Sequence, residues 1–129
     1  MMERADVARW LGDYVAAWKS YDPEAIGGLF AEDCVYRYRP QGDELRGRDA
    51  IVRSWREDEP DEQGTYDAAY EPYVVEGELA VAVGSSTYTN SDGSIRAIYD
   101  NCFLLRFDAD GLCAEFTEFF MERKDAAGS

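Results

Sequence analysis

Ile95-Arg96-Ala97-Ile98-Tyr99-Asp100-Asn101-Cys102-Phe103-Leu104-Leu105-Arg106-Phe107 is the stretch on which the fold turns. It is rich in β-branched and aromatic residues and is bounded by Ser91-Asp92-Gly93 and Asp108-Ala109-Asp110-Gly111, so it reads as a long strand between two turns. Along a strand alternate side chains share a face. Tyr99, Phe103, Leu105 and Phe107 make one apolar face, yet Ile98, Cys102 and Leu104 make the other apolar too. Such a strand needs cover on both sides. Working outward, Tyr70–Val75, Leu79–Thr89 and Leu112–Glu122 are further β-prone runs, with Glu76-Gly77-Glu78 as the first turn. The spacing predicts an antiparallel meander.

Upstream of the meander the period changes. Val7, Trp10, Leu11, Tyr14, Val15 and Trp18 recur at three- and four-residue steps, which predicts a helix from Ala5 to about Tyr21. Asp22-Pro23 is a helix start, and Ile26, Leu29 and Phe30 give an inward stripe ending near Ala31. Cys34–Tyr38 reads as a strand stopped by Pro40, and Gly47–Trp55 as a third helix carrying Ile51, Val52 and Trp55. Glu57-Asp58-Glu59-Pro60-Asp61-Glu62 has no apolar period and reads as a solvated loop without catalytic meaning. The residues from about 124 onward read as a loose tail of one domain spanning 1–129.

The class is therefore α+β, with about three N-terminal helices covering one face of a curved antiparallel sheet. Three short helices cannot cover both faces. The second face is expected to pack on a second copy as a homodimer, or alternatively under a carboxy-terminal strand that curls over it.

Composition narrows the partners. The chain has 27 acidic and 13 basic residues, a formal charge of −14, which repels phosphate backbones and anionic lipid surfaces; nucleic acid and membrane are not expected partners. No apolar run reaches the roughly 18 residues that cross a bilayer, and the amino terminus does not read as a signal peptide, which points to the cytoplasm. Cys34, Cys102 and Cys113 form an odd set without a CxxC pair and read as reduced core thiols. The chain has no histidine, so acid–base chemistry falls to Asp, Glu, Tyr, Lys or Cys, and no metal or cofactor is expected.

Tyr21-Asp22-Pro23-Glu24-Ala25-Ile26 through Leu29-Phe30-Ala31-Glu32-Asp33, then Leu45-Arg46-Gly47-Arg48-Asp49-Ala50-Ile51, then Leu105–Gly111, resemble in order and spacing the nuclear-transport-factor-2-like (NTF2-like) superfamily, of the SnoaL-like and ketosteroid-isomerase-like kind. The resemblance covers nearly the whole chain and implies a cone-shaped, cystatin-like fold with an internal pocket for a small hydrophobic molecule. Laid along the ketosteroid isomerase pattern, Tyr14 and Asp100 fall at the oxyanion-hole positions. Tyr38 and Arg39 stand before Pro40, where that pattern has its proton-moving aspartate. Against the limonene-epoxide-hydrolase pattern, Glu118 falls near the catalytic acid, while Ser86 and Tyr88 stand where an arginine and an aspartate are expected.

Strand parity places Phe116, Glu118 and Phe120 on one face, and Arg96, Ile98, Asp100 and Cys102 on one face of the neighbouring strand. If both faces line the cavity, it holds two carboxyls in aromatic surroundings, which raises their pKa and suits them to proton transfer; a protonated carboxyl in ketosteroid isomerase is a known case. The expected roles are Tyr14 and Asp100 as hydrogen-bond donors to a substrate oxygen and Glu118 or Tyr38 as the proton carrier. Trp18, Tyr36, Trp55, Tyr88, Cys102, Phe116 and Phe120 are the expected pocket walls. The bland alternatives are an ion pair of Asp100 with Arg96 or Arg37, a rim salt bridge for Glu118, and a core role for Tyr14. Two functions follow: a cofactor-independent isomerase, cyclase or lyase on a hydrophobic carbonyl or polyketide-like compound, or a non-catalytic ligand-binding or dimerisation domain.

Overall fold

Helix α1, Arg4–Ser20, starts at a capping box in which the Glu3 amide donates to Asp6 Oδ2 at 3.0 Å, and it ends where Tyr21 turns left-handed at φ 53°. The structure is a computed structural model that describes residues 2–58, 61 and 64–124; the tail expected from about 124 lies outside them apart from Lys124. Helix α2 is short, Pro23–Gly27, followed by strand β1, Phe30–Arg37, and the two-residue strand β2, Leu45–Arg46. Helix α3, Arg48–Arg53, widens into a π-helical turn, Ser54–Asp58. Strands β3, Tyr66–Glu76, β4, Leu79–Thr89, β5, Ile95–Phe107, and β6, Cys113–Glu122, complete the chain.

The six strands form one curved sheet in the order β2-β1-β6-β5-β4-β3. From β3 to β6 it is the antiparallel meander expected from the turns. Strand β1, however, pairs parallel with β6, with Tyr36 beside Phe116 and Arg37 beside Thr117. The purely antiparallel sheet is therefore corrected. The crossover passes through α3 and the meander, so no local turn could have announced it. The second helix is also shorter than its stripe suggested. Leu29 and Phe30 are buried as expected, but the Leu29 carbonyl accepts from Trp10 Nε1 at 3.0 Å and from the Cys113 amide at 2.9 Å, which pulls the chain into the sheet.

One face of α1 lies on the sheet. Val7, Trp10, Leu11 and Tyr14 bury there against Phe30 and Tyr36 of β1, Phe103 and Phe107 of β5, and Phe116 of β6. Trp10 meets Phe107 edge to face at 5.5 Å, and Tyr36 stacks on Phe116 at 4.4 Å. Each fully buried phenylalanine contributes about 2–3 kcal/mol by leaving water, so this aromatic layer dominates the fold's cohesion. One glycine is required by packing. A Cβ on Gly84 of β4 would lie 2.1 Å from the Ala69 carbonyl and 2.7 Å from both Cα and Cδ1 of Tyr70, so the missing side chain lets the Tyr70 ring lie across β4.

The sheet's other face carries Ile98, Cys102 and Leu104 of β5 with Phe119 and Met121 of β6. Leu104, Phe119 and Met121 are 44%, 42% and 73% exposed. Strand β6 runs within the sheet, so the alternative in which it curls over this face does not hold for the described residues. Cys34 and Cys113 are buried, but Cys102 is a half-buried residue of the outer face, which corrects its reading as a core thiol.

Candidate functional site

Beyond the aromatic layer the helices and the sheet part and leave a pocket of two connected parts. The inner chamber, about 220 Å³, is lined by Tyr14, Trp18 and Tyr21 from α1 and its cap, Tyr36 and Tyr38 at the end of β1, Trp55 of the π-helical turn, and Tyr70 and Tyr88 from β3 and β4. An outer vestibule of about 690 Å³ is rimmed by Arg39, Asp43, Arg96, Tyr99 and Phe120, and both parts share Tyr38, Asp61, Ser86, Tyr88 and Glu118. Glu118 therefore stands at the neck between them.

The neck is built from strand register. On β6, Glu118 follows Phe116 on the same face and is paired with Phe103 of β5. Asn101, two residues earlier on β5 and 7% exposed, donates from Nδ2 to Glu118 Oε2 at 2.8 Å. Ser86 of β4, 3% exposed, donates from Oγ to Asn101 Oδ1 at 3.1 Å. The Tyr70 phenol adjoins and interacts with Ser86. Burial pushes the Glu118 carboxyl up from 4.5 to about 7, and the Asn101 hydrogen bond holds it from rising further. No arginine or lysine among the described residues forms a salt bridge with it. At neutral pH this group is divided between acid and base, the condition in which a carboxyl serves as either.

The phenols around it stay protonated. Burial raises Tyr14, Tyr36, Tyr70 and Tyr88 well above the ordinary tyrosine value, and the nearby Glu118 charge raises each of them further. Their hydroxyls act as neutral donors. Tyr14 and Tyr36 face each other, hydroxyl to hydroxyl, at 3.4 Å, and the Trp55 ring packs edge to face on Tyr36. Tyr38 pairs with Ser54 at 2.8 Å, a contact created where α3 widens into its π-helical turn. Tyr21 reaches the chamber because its left-handed backbone, rare for an aromatic residue, turns the ring back over the end of α1; its hydroxyl accepts from the Asp61 amide at 2.7 Å.

Of the residues expected at the site, Tyr14, Trp18, Tyr36, Tyr38, Trp55, Tyr88 and Glu118 line the inner chamber, and Phe120 lines the vestibule. Phe116 is fully buried beneath them, stacked on Tyr36. Asp100 and Cys102 are corrections. Both lie on the outer face of β5, and Arg123 grips the exposed Asp100 carboxylate through Nε and Nη2, at 3.1 and 2.7 Å, holding it below the usual carboxylate range. Its partner is thus neither Arg96 nor Arg37. The reason is parity: the inward set of β5 runs Ala97, Tyr99, Asn101, Phe103, so the pocket's polar group from this strand is Asn101. Asn101, Ser86, Tyr70, Tyr21 and Asp61 are not among the residues expected at the site from the sequence. The run Phe103, Leu105, Phe107, extended backward by twos, pointed to Asn101. Asp61 corrects the acidic loop's reading as wholly solvated, because it lines the pocket and accepts from Trp18 Nε1 at 3.1 Å.

No cluster of three or more His, Cys, Asp or Glu side chains suited to a metal ion occurs among the described residues. No described helix is long and apolar enough to cross a membrane.

The fold has relatives. The chain superimposes on an LEH-like epoxide hydrolase from M. tuberculosis with a TM-score of 0.68 at 15% identity, over 93% of this chain and 86% of that one. It superimposes on an NTF-2 like protein of unknown function from Burkholderia xenovorans LB400 with a TM-score of 0.69 at 16% identity, over 99% and 92%. Likeness at this identity establishes the fold, an NTF2-like α+β fold, and leaves the chemistry to the site. No curated protein sequence matches the chain. Residues 11–116, which run from α1 to Phe116 at the floor of the pocket, match the family model of the SnoaL-like domain, and the chain belongs to that family.

Proposed function

We propose that this protein moves protons on a small, hydrophobic carbonyl compound held in the inner chamber, as a cofactor-independent isomerase, cyclase or lyase, with Glu118 as the proton carrier. The observation that carries this reading is the largely buried carboxyl of Glu118, pushed up to about 7 by burial, at the neck of an aromatic pocket. As a carboxylate, Glu118 takes a proton from the carbon beside the carbonyl, and the electron pair moves onto the carbonyl oxygen. The Tyr36 phenol, which faces the Tyr14 hydroxyl, supplies a hydrogen bond to that developing enolate. Glu118 then returns the proton to another carbon or to a leaving oxygen, so no electrons are gained or lost. Tyr14 supports Tyr36, and Asp100 has no part.

Epoxide opening, the chemistry named for the M. tuberculosis neighbour, fits less well. Asp61 is the other carboxylate lining the chamber among the described residues, and it is bonded to Trp18, while Ser86 and Tyr88 occupy the positions compared with that reaction's arginine and aspartate.

The test is exchange of the α-protons of small cyclic ketones into D2O, followed by proton NMR, with 4-nitrophenolate as an enolate mimic. Wild-type protein is expected to accelerate exchange and to bind the phenolate, and Glu118→Gln to lose the exchange. Phenolate binding without exchange would leave a non-catalytic ligand-binding domain. Equal exchange in wild type and variant would remove Glu118 from the chemistry.

The apolar outer face supports a homodimer packed through β5 and β6, with Leu104, Phe119 and Met121 at its centre. Sedimentation at micromolar concentration showing only the 14.6 kDa chain would refute it.

A further inference from the structure

Apart from tyrosines, tryptophans and cysteines, four polar side chains among the described residues are buried: Ser54, Ser86, Asn101 and Thr117. Burying a hydroxyl or an amide is costly unless its bonds are made. Ser54 answers Tyr38 at the mouth, and Thr117 answers Arg37 on the outer face. Ser86 and Asn101 instead answer each other, and the free end of their pair is directed at Glu118. The three residues come from adjacent strands, β4, β5 and β6, so the backbone ladder itself fixes their spacing.

The direction of the bonds carries the argument. Ser86 has one hydroxyl proton and gives it to Asn101 Oδ1 at 3.1 Å. That fixes the carbonyl end of the amide on Ser86 and turns the NH₂ end to Glu118 Oε2, at 2.8 Å. An amide nitrogen can only donate, so Oε2 must act as acceptor whether Glu118 is charged or neutral. We propose that Ser86 and Asn101 are positioning residues which lock one oxygen of Glu118 as a permanent acceptor and so confine its exchangeable proton to the other oxygen. This rests on the proton-transfer reading above. The consequence is a one-sided acid: the proton has one exit, toward a ligand. The amide, which does not ionise near neutral pH, also bars the proton from passing along the chain to Ser86 and Tyr70. The same donor favours the carboxylate and so works against the raising effect of burial. The other ionisable and charged groups lining the pocket around Glu118 are Tyr14 and Tyr21 from α1 and its cap, Tyr36 of β1, Tyr38, Arg39 and Asp43 after it, Asp61 between the π-helical turn and β3, Tyr70 of β3, Tyr88 of β4, and Arg96 and Tyr99 of β5.

The experiment is a carboxyl-carbon NMR titration of Glu118 in the full chain for wild type, Asn101→Leu, Ser86→Ala and Thr117→Val. Asn101→Leu is expected to move the midpoint upward by about one pH unit, the effect of losing a hydrogen bond to a charged group. Ser86→Ala removes only one buried oxygen, so it tests the lock even if the leucine variant fails to fold; it is expected to shift the midpoint in the same direction by less. Thr117→Val loses a comparably buried hydroxyl on the outer face and is expected to leave the midpoint unmoved. The pH profile of ketone exchange should follow the midpoint in each variant. An unmoved Glu118 in both Asn101→Leu and Ser86→Ala, or an equal shift in Thr117→Val, would overturn the proposal. If wild-type Glu118 titrates near 7 while its neighbours have no effect, only this inference falls. If it titrates in the ordinary carboxylate range, the proton-transfer reading falls with it.

Discussion

Replacing Glu118 by glutamine should make the folded protein more stable at alkaline pH and no more stable at acid pH. The carboxyl titrates at about 7 in the folded chain against an ordinary value of 4.5, because ionising it in the pocket forfeits hydration that the Asn101 bond only partly replaces. A group whose value is raised by folding contributes fully to stability below its unfolded value, and that contribution is lost as the pH rises through the folded value. Each pH unit of separation is worth about 1.4 kcal/mol, so the charged side chain costs the folded state about 3 kcal/mol above pH 7 relative to its neutral form. Glutamine keeps the shape and the acceptor for Asn101 and never ionises. Urea unfolding followed by the fluorescence of Trp10, Trp18 and Trp55 should therefore show wild type and Glu118→Gln close together near pH 4.5. Their difference should grow to about 3 kcal/mol by pH 8. Other carboxylates contribute equally to both proteins and drop out of the comparison. A difference that does not change between pH 4.5 and 8, or a glutamine variant that is the weaker one at pH 8, would refute the buried, high-pKa glutamate and the chemistry built on it.

Other outcomes follow from the same geometry. Gly84→Ala should lower stability by about 2 kcal/mol or more, read as a drop in Tm, because the new methyl would meet the Ala69 carbonyl and the Tyr70 backbone, which cannot swing aside. Tyr36→Phe should weaken 4-nitrophenolate binding about tenfold, the loss of one good hydrogen bond to a charged oxygen, with little change in circular dichroism. Asp100→Asn should leave ketone exchange and the Glu118 titration unchanged, since Asp100 and its Arg123 partner lie on the outer face; a loss of exchange would restore it to the site. Phe119→Asp should convert the proposed dimer to monomer in sedimentation, by placing a charge in the middle of an apolar face.

Much of the fold is written in short-range patterns. The three- and four-residue recurrence from Val7 to Trp18 fixes α1, and the turns at Gly77, Gly93 and Gly111, each with a positive φ, fix the meander. Glu118 was visible because its neighbours Phe116 and Phe120 place it on an aromatic face two residues from each, and the tyrosines and tryptophans of α1 and β1 were visible as the walls around it. These features depend on residues close together in the chain, where spacing alone decides which side chains share a face. What the sequence left open was which face. Ile98-Asp100-Cys102 and Tyr99-Asn101-Phe103 both read as apolar sets with one polar member, and a strand carries no mark of which side will meet α1. The parallel pairing of β1 with β6 and the register of β5 made that choice, burying Asn101 beside Glu118 and turning Asp100 outward to Arg123. The grouping of Ser86, Asn101 and Glu118 joins residues 15 and 17 positions apart on three strands. It exists only once the ladder sets their register, because hydrogen bonds between side chains are decided by distances in space and not by separation along the chain.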